Sequence, residues 1–414
     1  MANTVNTMKN APGVVAKLAA GMLEDKIQFA KSIDMADGSD LAGKNGYNSG
    51  DTVYISKPAR FTVGSTADIT SGIQDVNEEK AALTLNVRKV VGIALTSSEI
   101  ATDMALAGWA KRVLEPAVSA IAQDIEKSFL QTATQNVYNG VGSAGSTVFD
   151  NDTLLSANQK INEFACPDMD NRFALLNPFA TRSATNARKG LFQSASNIAD
   201  QYKKGYIGES DGFSFLSNNL VYNHTTGTSN VTGVTLSATV TNGTATIALT
   251  GLGNTLTLTA GTVFQVAGAN AVHPITKQDL GYAKQFVVTT GGTSSAGGAL
   301  TVTVSETIYS SASGALQNVS ALPASGAAVT FFQPTASTTR AQNLCFHKSA
   351  FRMVSAPLVL PGGTDMAAQA MSDSGLYVRV VRDYEPLTDR LIMRLDFLGG
   401  IATVRPEWAV RVTA

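Results

Sequence analysis

The sequence predicts an α+β protein interrupted by an all-β module. Apolar residues recur at helical spacing through 116–134 and in shorter segments that alternate with strand-like runs. Charge then nearly vanishes: from Gly212 to Thr339 only Lys277, Asp279, Lys284 and Glu306 interrupt the chain, out of 31 Lys+Arg and 32 Asp+Glu in 414 residues. Beyond Thr339, charge and helix/strand alternation resume (TTRAQNLCFHKSAFRMVSAPL), so the β module reads as an insertion whose two ends lie close together.

Taken in order, residues 12–34 predict an amphipathic helix with Val15, Leu18, Met22, Phe29 and Ile33 on one stripe and Lys17, Glu24 and Lys31 opposite. A lone helix ahead of the Gly/Asn/Asp/Ser-rich loop DGSDLAGKNGYNSGD cannot bury that stripe by itself. It is either packed back on the body or donated to a neighbour. Residues 52–64 (TVYISKPARFTVG) read as a strand, a break at Pro58 and a second strand, and 82–96 as strands again. The polar segment between makes 50–96 a long two-stranded excursion, which is marginal in water unless it lies on another surface.

Residues 97–134 carry the strongest helical signal. Ser97 or Ser98 caps a first piece, with Glu99 and Asp103 in its opening turns. Pro116 suits the start of a second piece, whose stripe is Val118, Ile121, Ile125, Phe129 and Leu130. Residues 150–220 alternate short helices with the buried strand RFALLNP, and Pro178 opens another helix. The low-charge segment holds alternating runs (VTLSATV, TATIALT, KQFVVTT, LTVTVSE) between Gly/Asn/Thr turns, the pattern of a small barrel or sandwich. LYVRVVRDYE, DRLIMRLDFLGG and IATVRPEWAVRV close the chain as long antiparallel strands.

Charged residues are 15% of the chain, against about 25% in an ordinary globular domain. Low charge with many small residues suits a surface largely covered by neighbours, and equally a β-rich extracellular protein. A net charge of −1 argues against a protein that grips nucleic acid, because neutralising phosphates calls for a basic excess. Cys166 and Cys345, far apart and outside any CxxC or Cys/His spacing, read as reduced thiols. Lys17, Glu24 and Asp25 break the apolar N-terminal stretch, so it does not read as a secretory signal, and no run long enough to cross a membrane as a helix is expected.

The order and spacing of several segments resemble the major coat proteins of short-tailed bacteriophages, a family with the Hong Kong 97-like capsid fold and an inserted β-barrel domain. SGDTVYISKPARFTV is similar to the extended loop that such proteins lay across a neighbouring subunit. LEPAVSAIAQDIEKSFLQTA is similar to the long spine helix, FALLNPFATRSATNARKGL to the strand–Asn-Pro–helix element of the axial domain, and LTAGTVFQVAG to a barrel strand. NLCFHKSAFRMVSAPL resembles the return into the axial domain and DRLIMRLDFLGGIATVRPEWAVRV the closing strands.

The resemblance implies an N-terminal arm (1–49), an extended loop with flanking strands (50–96) and a peripheral domain with the spine helix (97–149). It further implies an axial domain in two parts (150–220 and 340–375), the inserted barrel (221–339) and C-terminal strands of the peripheral domain (376–414). It implies a structural subunit, without cofactor, that joins copies of itself in the hexamers and pentamers of an icosahedral shell around double-stranded DNA. Assembly would occur in the host cytoplasm, the product being the virion capsid, and a scaffolding protein and a portal would be partners.

Several charged residues are candidates on that footing. Lys57 and Arg60, then Glu78, Glu79 and Lys80, are candidates for intersubunit pairing; the alternative is a solvated loop surface. Lys111, Arg112 and Lys127 would face packaged DNA or simply solvate a helix. Arg379 and Arg382, three apart on one strand, point to opposite faces, and at least one would meet a neighbouring subunit. Glu24 and Asp25 would dock a basic scaffold helix or solvate their own. In relatives, charged loops of the inserted domain bridge capsomers; with four charges here, that bridging is not carried over.

Enzymatic chemistry is not legible. His224, His273 and His347 are scattered, and a base needs an orienting partner and a nucleophile. GESDG matches G-x-S-x-G without its strand-to-helix context, GVGSAG follows a helix instead of a strand, and GSDLAGKN lacks the Ser or Thr of a P-loop. Two other classes remain open: an encapsulin-like nanocompartment shell protein, or a β-rich bacterial surface protein.

Overall fold

The computed structural model describes residues 12–35, 47–61, 63, 73, 76, 78–96, 113–142, 151–187, 208–228, 231–364 and 366–413. The chain forms two compact units, the first from Met1–Ile55, Lys80–Phe129 and Arg352–Ala402, the second from Ser56–Glu79, Leu130–Phe351 and Thr403–Ala414.

In the first unit, strand Arg390–Thr403 organises a six-stranded sheet. One edge pairs with Val87–Thr96, from Arg390↔Thr96 to Gly399↔Val87. The other pairs with Tyr377–Glu385, which pairs in turn with Met366–Met371. Phe351–Ser355 and Asp34–Met35 complete the sheet. The Gly399-Gly400 pair inside the long strand exists for close approach. A Cβ on Gly400 would stand 2.3 Å from the Thr84 carbonyl oxygen, and one on Gly399 2.9 Å from that of Val354.

Helix α1 (Pro12–Lys26) packs back on this unit, against Met366–Met371 and Tyr377–Glu385. Its buried stripe is Ala16, Ala19, Ala20 and Leu23, continued by Ile27, each at most 1% exposed. The sequence-predicted stripe is rotated from this: Leu18 is 44% exposed and Met22 half-buried, because small alanines take the close face. The helix is also shorter than predicted. It ends at Lys26, and Phe29 and Ile33, although buried, flank the short 3-10 turn Ala30–Ser32. That bend is held by Glu126, a 2%-exposed carboxylate accepting the Gln28 and Phe29 N–H groups at 2.9 and 3.2 Å.

Helix α2 (Glu115–Gln135) follows prediction closely: Pro116 lies in its first turn, and Val118, Ile121, Ile125, Phe129 and Leu130 are all buried. The expected preceding piece, with Ser97, Ser98, Glu99 and Asp103, lies outside the described residues. Thr52–Ser56 and Lys80–Thr84 pair as the base of the excursion, with Val53, Ile55, Leu83 and Leu85 buried in alternation. The predicted second strand after Pro58 is absent from 57–61 and 63, which carry no ladder.

The second unit contains a sheet in the order Gly140–Val141, Ala409–Val412, Asn343–His347, Arg172–Leu176, Phe213–Ser217, Glu209–Ser210. Helices α3 (Asn151–Glu163) and α4 (Pro178–Ala187) bury Leu154, Ala157, Ile161, Ala180 and Ala184 in one core with Ala174, Phe213, Cys345 and Val410. Pro178 opens α4 as expected, and Asn177 adds a cap. Pro178 needs no hydrogen bond there, and the Asn177 side-chain oxygen accepts the Ala180 N–H at 2.7 Å.

Within the low-charge segment, Thr235–Leu236, Thr244–Thr250, Leu300–Ile308, Asp279–Thr290, Val263–Val272 and Val329–Phe331 neighbour one another in that order, all antiparallel. The last returns to the first: Thr235 bridges Ala328, the Val329 N–H donates to Val234 O at 2.9 Å and the Leu236 N–H to Ala327 O at 3.0 Å. Inside the ring lies an apolar core that includes Ile247, Leu249, Phe264, Phe286, Val302 and Phe331. Chain entry and exit are zipped together, Asn223–Thr225 pairing with Thr339–Ala341.

Candidate assembly surface

The few charges of the β module are used inside it. Lys284, 3% exposed at its side chain, pairs with Glu306 at 2.7 Å and lies 5.3 Å from the Tyr138 ring centre. Burial works against ionising Glu306, but Lys284, Arg60 and Lys57 outweigh it and hold its carboxyl below the usual value. The Lys277 ammonium donates to the carbonyls of Ala315 and Gln317 at 2.6 and 3.1 Å, and the Asp279 carboxylate accepts from Asn270 and the Gly281 N–H.

The base of the excursion is also tied to its own chain. The Lys57 N–H donates to Glu79 O at 2.7 Å, and their side chains pair at 4.0 Å. Arg60 reaches Glu407 at 3.4 Å, and Arg405 meets the same carboxylate oxygen at 3.4 Å. Burial opposes the Arg60 charge, yet Glu407, Glu306 and Glu79 leave its pKa above the ordinary value. Glu78 and Lys80 are exposed. So, among the excursion's described residues, are Phe61 at 54%, Val63 at 93%, Ile73 at 77% and Val76 at 69%. Exposed apolar side chains concentrated in one stretch of chain are the kind of surface that a partner can cover.

The strand arginines separate as their odd spacing requires. Arg379 lies across from Asp396, which it meets through Nε at 2.9 Å and through Nη2; Arg394 reaches the other carboxylate oxygen at 2.7 Å. Asp396 is fully buried beneath the two guanidinium groups, while Arg382 is half-buried. Glu24 is held by hydrogen bonds from Ser374 and Ser372 and attracted by Lys31; these overcome burial and lower its pKa. Asp25 pairs with Lys31 at 3.6 Å. Lys127 is exposed, and Lys111 and Arg112 lie outside the described residues.

The short patterns have structural explanations. GESDG is a hairpin: Glu209↔Ser214 and Ser210↔Phe213 pair around Asp211-Gly212, both with positive φ, the two-residue turn that Asp-Gly favours. In GVGSAG, Gly142 passes so near Thr413 that a Cβ would stand 2.2 Å from its carbonyl oxygen; 143–145 and the GSDLAGKN segment lie outside the described residues. His273 and His347 accept nearby backbone N–H groups through Nδ1, and His224 Nδ1 sits 3.3 Å from the Tyr222 hydroxyl. Both cysteines are free thiols whose pKa burial raises, that of Cys345 to about 12. Among the described residues no group of three His, Cys, Asp or Glu side chains is placed to hold a metal, and no helix is long and apolar enough to cross a membrane.

Sequence reasoning missed the inner partners: Glu407, Asp396, Glu126 and Arg411. Arg411 is 1% exposed and donates to Gly261 O at 2.7 Å and to Gln135 O at 3.1 Å; burial pulls its pKa down to about 9. Alternation in AVRV signals a strand and says nothing of a guanidinium inside.

Nothing matches among curated protein sequences. Solved structures to which the chain is similar include the capsid of Ralstonia phage GP4 (TM-score 0.48, 8% identity, 94% of this chain and 91% of that one). Another is from Mycobacterium phage Che8 (TM-score 0.45, 12% identity, 93% and 90%). A third is a virus-like particle from Pyrococcus furiosus (TM-score 0.38, 8% identity, 96% and 97%). The model of one family, "P22 coat protein - gene protein 5", matches residues 14–413, almost the whole sequence. The chain belongs to the P22 coat protein family.

Proposed function

We propose that this chain is the subunit of a closed icosahedral phage shell, joined to copies of itself in hexamers and pentamers around packaged double-stranded DNA, and that its role is structural and not enzymatic. The family match over residues 14–413 carries this reading. The described part of the excursion supports it: a base paired to its own chain, then Phe61, Val63, Ile73 and Val76 presented to solvent. On a neighbouring copy, each would gain about 25 cal/mol per Å² of apolar area covered, before ordering and desolvation are subtracted. Individually weak contacts let a misplaced subunit leave, and many together hold a closed shell.

On this reading the fold is Hong Kong 97-like and 221–339 is an inserted barrel domain. Its four charges are spent internally, so its contacts with other capsomers are polar and apolar. Glu78 and Lys80 are the excursion charges offered to a neighbour, with Lys57, Arg60 and Glu79 fixing its base. Arg382 and Lys127 are offered to a neighbour and to DNA respectively. Glu24 and Asp25 serve a scaffolding protein only if it displaces Ser374 and Lys31; a portal completes one vertex.

Sedimentation velocity of the chain co-expressed with its scaffold gene tests the proposal. Fast, uniform particles are expected; a boundary that stays subunit-sized at every concentration and salt contradicts it.

A further inference from the structure

We propose that the Arg60–Glu407 pair is a latch that fixes the direction in which the excursion leaves its own unit, and that uniform shell closure depends on it. The inference rests on the shell-subunit reading above for its second half only.

Arg60 is the last cation before the exposed apolar residues, and its side chain is mostly covered, at 28% exposure. It shares a small crevice with Tyr138, Phe164, Pro274, Lys284, Glu306 and Glu407. Glu407 is 9% exposed at its side chain and is oriented by Arg405 as well. Glu306 lines the same crevice and is paired with Lys284. The crevice therefore offers one carboxylate already fixed in place and a second that adds attraction, an arrangement suited to one guanidinium arriving from the excursion. The next described side chains, Phe61 and Val63, are exposed. Lys57, three residues earlier, forms its ion pair among the described residues with Glu79 of the same excursion and reaches Glu306 only through longer-range attraction, so it sets the direction far less than Arg60 does.

The test places spin labels at Val63→Cys and Ser311→Cys in a Cys166→Ser background, both label sites being exposed and in one unit. Pulsed electron–electron resonance on unassembled subunits gives the distance distribution. A narrow distribution is expected with Arg60 present. Arg60→Met and Glu407→Gln should each broaden it, the released population rising about tenfold, whereas Lys57→Met should leave it narrow. Unchanged far-UV circular dichroism in the variants separates release from unfolding, and Glu407→Gln, nearly isosteric, covers the case in which Arg60→Met fails to fold. A distribution equally narrow in both latch variants overturns the proposal.

Electron microscopy of the unlabelled variants reads the consequence. Shells of mixed size or open sheets support it, and uniform shells from both variants overturn the link to closure. If the unmutated chain makes no shells, the shell-subunit reading fails while the distance measurement still decides the latch.

Discussion

Lys284 shows what a buried charge demands of its partner. With the ammonium 3% exposed, Glu306→Gln leaves it inside without a counter-charge, and destabilisation of about 3–5 kcal/mol is expected. Replacing both residues with Met should cost far less, since neither charge remains to be desolvated. Chemical-denaturation midpoints of the single and double variants check this. His224 makes a pH prediction. Burial and the nearby Arg411 lower its pKa to about 4, so the imidazole stays neutral in the fold. Above about pH 6.5 the folded and unfolded states are both neutral and nothing is lost. Between about 6.5 and 4 only the unfolded chain takes up the proton, so stability falls by up to about 1.4 kcal/mol per pH unit and levels off below the folded value. His224→Gln should flatten that part of the stability–pH curve. Little at this scale was legible in the sequence. Arg60 and Glu407 are 347 positions apart, and Glu126 caps a bend 98 positions before it. No local pattern encodes such meetings.

Elements were far more legible where one signal dominated. The α2 stripe needed only its bulky residues, and all five are buried. The stripe of α1 was misread because alanine counts little in an apolar pattern, yet fits best where a helix lies close on a sheet. Of the strand expected after Pro58, the described residues 59–61 and 63 carry no ladder, because a strand-like sequence pairs only where a partner lies beside it. The Asn177 cap was readable as a strand–Asn-Pro–helix junction, and its strength can be measured. Asn177→Ala removes the 2.7 Å bond to the Ala180 N–H and should cost about 1 kcal/mol, seen as a lower denaturation midpoint. It keeps the backbone N–H of residue 177, which the Asn343 side-chain oxygen accepts at 2.8 Å, and Asn343 also donates to Val412 O, so the strand register should survive.

At the scale of the whole molecule, the loss of charge from Gly212 to Thr339 contains the ring of strands, although its first stretch, Phe213–Ser217, pairs with Arg172–Leu176 in the other sheet. The reason is physical: a ring of strands whose first and last members meet has little need of charge, and its two ends pair with each other, as the proposed insertion requires. A fragment spanning 223–341 should therefore fold alone, giving dispersed amide resonances and a cooperative thermal transition; a collapsed, undispersed spectrum would show that the module needs the rest of its unit. What sequence could not separate was which apolar surface is covered at home and which is left for a neighbour. The structure buries α1 on its own unit and leaves Phe61, Val63, Ile73 and Val76 outside. The most direct measurement is a side-chain-resolution electron cryo-microscopy reconstruction of particles purified from co-expression. The account predicts a closed shell in which those four side chains are covered by an adjacent copy. Particles in which they stay in solvent, or a chain that remains a lone subunit, would contradict it.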